Sequence, residues 1–410
     1  MRIILRRGSF VALAAGLLAT STASAALLFN PVVTVVGDGT NIASGVGVTT
    51  TDSVYLNSVP SQAAPVSSAS YANGQVSPRL VNSFSANSEG SLTNNPGVSD
   101  AAAKGLSFAG PAFVYNAGYD APDNTAAVNG TTANANRSLG QINVTASLAT
   151  GATVLKTQTQ ATAYNNNNIR GATGDNTGAN IYSAGTAGTA ALGGWRNFTT
   201  NTLLTSTPTP TNVRTVELLG GKLYGSTGSG TTVGIYQIDA TGATNATTFV
   251  TTGTSSDHSP YEFALFDDPT NANVLNGYNV AYIADDSAAV GVGGIEKWTY
   301  NGTTWSQAYI LRDANLTTGL TYRGLAGELD ASTGLVTLFA STSDGLKLQQ
   351  VTDTGAASTF TTLASLTTAD NRVFRGVALA PIPVPEPSTF LLAIVAVGGA
   401  MVMRRRARCG

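Results

Sequence analysis

A three-part pattern that returns along the chain limits its fold more than any single residue does. Ile169-Arg170-Gly171-Ala172 leads to Ile181-Tyr182-Ser183-Ala184 and then to Gly194-Trp195-Arg196-Asn197-Phe198. The same order returns from Val213-Arg214-Thr215-Val216, from Tyr261-Glu262-Phe263-Ala264 and from Tyr322-Arg323-Gly324-Leu325, and a half copy over 374–380 closes the series. Counted from Arg170 through Arg214, Glu262 and Arg323 to Arg375, the separations are 44, 48, 61 and 52 residues. Each segment is rich in Val, Ile, Tyr, Phe and Thr and bounded by Gly, Asn or Asp, which is strand and turn chemistry. Several strands per unit of ~50 residues predict the blades of an all-β propeller. Residues 26–380 would make about seven such blades. The final half copy is expected to complete a blade begun by the N-terminal strands, which leaves no free edge. Less regular strands are read at 53–56, 80–84, 89–92 and 112–115. A stacked β-solenoid is the rival architecture. Asn301-Gly302, between Trp298 and Trp305, predicts a tight type I′ hairpin turn.

Both ends carry targeting chemistry. Arg2, Arg6 and Arg7 precede an apolar stretch over 10–18, and Ala23-Ser24-Ala25 is an A-x-A cleavage site. Residues 1–25 therefore read as a signal peptide for the secretion translocon and signal peptidase, with the mature chain starting at Ala26. At the other end Val384-Pro385-Glu386-Pro387-Ser388-Thr389 precedes an apolar run over 390–403 and the basic cluster Arg404, Arg405, Arg406 and Arg408. As a transmembrane helix that run is roughly 21 Å long, short of the ~30 Å hydrocarbon core. The arginines can snorkel to the cytoplasmic interface, which puts the Pro-Glu-Pro on the outer face of the inner membrane.

This tail, residues 382–410, resembles the PEP-CTERM sorting signal of Gram-negative bacteria. The resemblance implies a transient inner-membrane anchor that an exosortase-type membrane protease processes around Val384, Pro385, Glu386, Pro387 and Ser388. It also implies delivery of the exported domain, residues 26–381, to the outer surface or the extracellular matrix. Ser88-Glu89-Gly90-Ser91-Leu92-Thr93, Ala117-Gly118-Tyr119-Asp120-Ala121-Pro122 and Arg375-Gly376-Val377-Ala378-Leu379-Ala380-Pro381 are similar to segments of secreted bacterial propeller proteins that carry this tail. That likeness implies a fold and no catalytic residue. The sorting system's association with exopolysaccharide and biofilm implies a structural or adhesive role, with exopolysaccharide as a partner.

Charge narrows the partners. The whole chain carries −2. Seven of its 21 basic residues are the arginines of the two signals, so 14 remain against 23 acids, or 22 without Glu386, and the mature chain is near −9 or −8. A nucleic acid or an anionic lipid surface demands the opposite sign. Charged residues are only 11% of the chain, against ~25% in a typical soluble protein, so the surface is solvated mainly by hydroxyls and amides. The one cysteine, Cys409, lies in the tail, and the exported domain can hold no disulfide.

Few residues suggest chemistry. Arg170, Arg214, Arg323 and Arg375 recur at one repeat position and could ring a channel, either to face an anionic ligand or to tie blade to blade. Asp267-Asp268 and Asp285-Asp286 could together offer oxygen ligands to one Ca²⁺, the only cofactor suggested. His258 is the sole histidine, which rules out a multi-histidine metal site and reads as a loop residue. Gly225-Ser226-Thr227-Gly228-Ser229-Gly230 lacks the lysine of a phosphate loop and reads as a plain loop. Tyr182, Tyr224 and Tyr282 read as packing residues. No serine lies in a G-x-S-x-G elbow. The alternative to a non-enzymatic surface protein is a polysaccharide lyase or glycosidase, which would need carboxylates converging across a sugar. Asp257, Glu262, Asp285 and Arg323 meeting at one mouth would favour it.

Overall fold

The computed structural model describes residues 28–36, 52–58, 85–86, 91–108, 110–120, 136–144, 153–207, 210–228, 230–289, 291–370 and 372–382. The first elements are β1 (Phe29–Val36), β2 (Asp52–Ser58), β3 (Ser85–Ala86), β4 (Leu92–Asn94), helix α1 (Pro96–Ala103), β5 (Phe113–Asp120), β6 (Asn136–Asn143) and β7 (Thr153–Gln160). Four antiparallel meanders follow. They are β8 (Ile169–Gly174), β9 (Ile181–Gly185), β10 (Gly194–Asn197) and β11 (Thr202–Leu203); then β12 (Val213–Leu219), β13 (Lys222–Thr227), β14 (Val233–Ile238) and β15 (Thr247–Gly253). The third is β16 (Pro260–Phe266), β17 (Val280–Asp285), β18 (Gly294–Tyr300) and β19 (Trp305–Leu311), and the fourth β20 (Tyr322–Leu329), β21 (Val336–Thr342), β22 (Lys347–Thr352) and β23 (Phe360–Ser365). The last strand is β24 (Val373–Pro381). The chain is an all-β propeller: each repeat copy is one meander, and its first segment is the strand nearest the axis.

The half copy closes the ring as its position in the repeat predicts. β24 pairs antiparallel with β1 from Phe29↔Pro381 to Val36↔Val373. A solenoid would hold its first and last strands apart, so this pairing excludes that rival. Among the described residues five sheets stand in the ring, not seven. The estimate overcounts because the N-terminal strands do not divide into separate units: Ser85↔Tyr119 joins β3 to β5, making one eight-stranded sheet in the order β24-β1-β2-β3-β5-β6-β7 with β4 on β5. The strand read at 53–56 lies in β2 and that at 112–115 becomes β5, while 80–84 lies outside the described residues.

β4 is short but reaches the axis, because side chains tie it to strands it does not pair with. Asn94 donates from Nδ2 to Leu379 O (2.7 Å) and accepts from Leu379 N (2.8 Å), fixing β4 to β24. On the other flank Ser91 N donates to Arg170 O (2.8 Å) and Thr93 Oγ1 to Ala172 O (2.5 Å), fixing it to β8. The ring around the axis then runs β4, β8, β12, β16, β20, β24.

Sheets covered on both faces bury both sides of their strands, so β8, β9, β17 and β21 are buried end to end. Their sequences are runs of apolar and small residues instead of an alternation. Tyr182, Tyr224 and Tyr282 are packing residues, as read: all three are buried. The ring of Tyr224 stands edge-on to Phe249 at 5.0 Å. The glycine-rich stretch is not all loop, since Gly225, Ser226 and Thr227 belong to β13. A Cβ on Gly225 would stand 2.2 Å from the indole Nε1 of Trp195, which crosses from the neighbouring sheet to donate to Thr215 O (3.0 Å).

The β18–β19 hairpin also departs from expectation. Tyr300↔Trp305 closes a four-residue connection, in which Asn301 Oδ1 accepts from Thr303 N and Thr304 N. Asn301 caps the turn with its side chain instead of taking a positive φ. The type I′ turn lies at the other Asn-Gly among the described residues. Asn276 and Gly277 have φ of 58° and 90° between Leu275 and Tyr278, which exchange both backbone hydrogen bonds.

Candidate functional site at the mouth of the ring

The recurring arginine position coincides with a recurring β-bulge. Register breaks between Ile169 and Gly171, between Val213 and Val216, between Pro260 and Phe263 and between Tyr322 and Gly324, and it breaks on β24 between Phe374 and Val377. A bulge leaves a residue unpaired and re-aims its side chain. Here it does so at the start of five of the six inner strands, β8, β12, β16, β20 and β24, on one end of the ring. The glycine after three of the arginines has a steric reason: a Cβ on Gly324 would lie 2.4 Å from Arg375 O, and one on Gly376 2.2 Å from Leu92 N.

The four arginines divide into two kinds. Arg170 Nη1 donates to Thr186 Oγ1 (2.8 Å) and to Asn212 Oδ1 of the next sheet. Arg375 Nη1 donates to Phe374 O (3.1 Å) and lies over Gly345 of the preceding sheet. Both are buried in seams, the blade-to-blade role. Arg214 and Arg323 instead converge on Tyr261, with guanidinium carbons 4.5 and 5.0 Å from its ring centroid. Arg214 Nη1 also donates to the Tyr261 hydroxyl (2.9 Å), and Arg323 Nε to Asp286 Oδ2 (2.7 Å). The ring is buried beneath them, while the Arg323 side chain stays 30% exposed. The result is two cations from two sheets held on one aromatic from a third.

Beneath this mouth the axis is closed by a carboxylate. Glu262 Oε1 accepts from Leu92 N (3.0 Å), and Oε2 from Leu325 N (2.7 Å) and Val377 N (3.2 Å), so one side chain joins β16 to β4, β20 and β24. Burial pushes its pKa up to about 8, against the pull of the three amides. Next to it a cavity of about 40 Å³ is lined by Glu217, Thr93, Asn94, Phe263 and Leu325. Burial also holds the Glu217 carboxyl well above its usual range, with the Glu262 charge adding to the effect. The far end of the axis is capped by α1. Its Asp100 accepts from Gly220 N (2.8 Å), and Ala103 O accepts from Asp267 N (3.0 Å).

A second cluster lies on the mouth side of β16–β18. His258 Nδ1 stands 3.1 Å from Asp285 Oδ2 and 2.9 Å from Glu296 Oε1. Both carboxylates are wholly buried, and the imidazole is 15% exposed. Asp285 is pushed up by burial, and His258 is raised chiefly by its hydrogen bond with Glu296. The reading of His258 as a loop residue missed these partners. Asp285 pairs with Gly294, two residues before Glu296, so the two acids are diagonal neighbours across β17–β18, a relation the repeat already contained.

The other predicted residues separate. Asp267-Asp268 and Asp285-Asp286 sit at opposite ends of the β16–β17 pair, about six residues and roughly 20 Å apart, so they cannot share a calcium ion. Asp268 Oδ1 instead accepts from Thr270 N and Oγ1 in a turn. Asp257 is engaged in an exposed turn by Thr254 and Ser256, Glu262 accepts backbone amides on the axis, Asp285 faces His258 and Arg323 pairs with Asp286, so each of the four takes partners outside the set. Ala23, Ala25, Ala26, the motif from Val384 to Ser388 and Arg404, Arg405, Arg406 and Arg408 lie outside the described residues. Among the described residues no helix is long and apolar enough to cross a membrane.

No family model and no curated protein matches the chain. Among solved structures it is similar to a chain of the nidogen/laminin complex (11% identity, 85% of this chain and 98% of that chain, TM-score 0.41). It is also similar to a putative 6-phosphogluconolactonase from Bacteroides uniformis (13% identity, 81% and 82%, TM-score 0.37) and to a protein from Lactobacillus plantarum (10% identity, 83% and 82%, TM-score 0.37). At this distance neither ligand nor activity transfers from them.

Proposed function

We propose that this chain is an exported surface or matrix protein, sorted through its PEP-CTERM-like tail, and that its structural or adhesive role is to hold an acidic exopolysaccharide at the mouth of the propeller. The observation that carries the reading is the stack of Arg214 and Arg323 on Tyr261. A guanidinium is a planar fork that matches a carboxylate, and one already fixed against an aromatic loses little freedom on binding. The acidic charge of the mature chain disfavours diffuse attraction to a polyanion, so recognition has to be local. The signal peptide and the tail put this mouth where such polymers are.

The test is binding of the purified chain to a polyuronate, with a neutral glucan as control. The double substitution Arg214→Ala, Arg323→Ala is expected to weaken polyuronate binding by about tenfold or more, with binding to the glucan negligible throughout. Unchanged affinity in the variant, or equal affinity for both polymers, would refute the site. Shortening of the polymer during the incubation would favour the lyase or glycosidase reading instead.

A further inference from the structure

We propose that His258, Asp285 and Glu296 bind one divalent transition-metal ion of the zinc class. The three side chains offer one imidazole nitrogen and two carboxylate oxygens, all within 4.8 Å of one another. Zinc bonds of ~2.1 Å at tetrahedral angles place ligand atoms about 3.4 Å apart. The observed 3.1 and 2.9 Å from Nδ1 to the two oxygens therefore need to widen by only a few tenths of an ångström. The mix of nitrogen and oxygen suits zinc better than calcium, which takes six to eight oxygens.

Two further features point the same way. The oxygens that do not face His258 are pinned: Asp285 Oδ1 accepts from Ser259 N (2.9 Å) and Ser287 N (2.8 Å), and Glu296 Oε2 from Trp298 Nε1 (2.8 Å). Donors behind the ligating carboxylates that fix their orientation are what metal sites add around the ion. The site also gathers two acids around a single base. Two fully buried carboxylates face one imidazole, and among the described residues no other cation contacts either acid. A divalent ion neutralises both and leaves the imidazole neutral, with the fourth position open to water. Bound there, it fixes Ser259 and Asp285, whose chain neighbours lead directly to Tyr261 and Asp286 of the mouth. The site does not depend on the mouth binding a polymer, and its test uses none.

The experiment takes the untagged full chain, stripped with a chelator, and titrates Zn²⁺ by calorimetry and by thermal melting. One equivalent is expected to bind at micromolar affinity or tighter, raising Tm and releasing protons, while Ca²⁺ at the same concentration leaves Tm unmoved. Glu296→Gln and His258→Gln are expected to cut the affinity about 100-fold. Absence of saturable binding by the wild type up to about 1 mM Zn²⁺, or equal binding by the variants, would overturn the assignment. X-ray absorption on the zinc-loaded wild type keeps the test independent of how the variants fold. His258 is the chain's only histidine, so imidazole in the zinc shell identifies the site. A shell without imidazole, or one containing the Cys409 sulfur, would refute it.

Discussion

A chain that stops at Asp370 is expected to lose cooperative folding, while one that stops at Ile382 is expected to keep the full stability of the exported domain. The difference is β24. It is buried along all but its last residue and pairs with β1 over most of its length. Val373, Phe374, Val377, Ala378, Leu379 and Ala380 belong to the same core cluster as Phe29, Val32, Val33, Val35 and Val36. Burying a large aliphatic or aromatic side chain contributes about 1.5–3 kcal/mol, so removing Val373, Phe374, Val377 and Leu379 at once costs about 6–12 kcal/mol, as much as the ~5–15 kcal/mol that holds an ordinary domain together. The loss would also bare the edge of β1 to association. Circular dichroism and thermal melting of the two truncations make the comparison. A cooperative melt from the chain ending at Asp370 would mean that the ring does not need its closing strand.

Glu262→Ala is expected to cost on the order of 3–6 kcal/mol, because it strips the acceptor from three buried backbone N–H groups that belong to three different inner strands. Glu262→Gln is expected to cost less. Its carbonyl can still serve Leu325 and Val377, but its amide faces the Leu92 N–H donor to donor. Chemical denaturation orders the three proteins, and equal stability of Glu262→Ala and wild type would remove the axial carboxylate from the account. The same residue sets a pH dependence. Its folded pKa of about 8 lies above the ordinary 4.5, so the folded state holds a proton that the unfolded state releases. The contribution is fully present below pH 4.5 and is lost as pH rises through about 8. Glu262→Gln should lack this alkaline loss, which a series of melts from pH 5 to 9 will show.

These two effects also mark what the sequence could reveal. The repeat disclosed the inner strands and the ring closure, since β8, β12, β16, β20 and β24 all begin with the same bulged segment. It did not disclose the sheet count, because the N-terminal strands lack the pattern and a two-residue strand, β3, merges what spacing would separate. Arginine recurrence located the mouth, yet partners set the four side chains apart: Arg170 and Arg375 meet polar and backbone groups in seams, whereas Arg214 and Arg323 meet Tyr261. The clearest signal was the departure from the repeat. Where the other copies have arginine, the third has Tyr261-Glu262, and that copy supplies both the aromatic platform at the mouth and the carboxylate on the axis. His258 was hidden by distance in sequence, 27 residues from Asp285 and 38 from Glu296, although the β17–β18 register brings the two acids together.

The claim on which the functional reading rests is the address, since a mouth that holds extracellular polymer has to arrive outside. The measurement is mass spectrometry of the mature C-terminus after cell fractionation, in cells with and without the sorting protease. A released protein that ends near Pro385 to Pro387, and does so only when the protease is present, is the predicted result. An intact tail retained in the inner membrane in both strains would contradict it and leave a membrane-tethered periplasmic propeller.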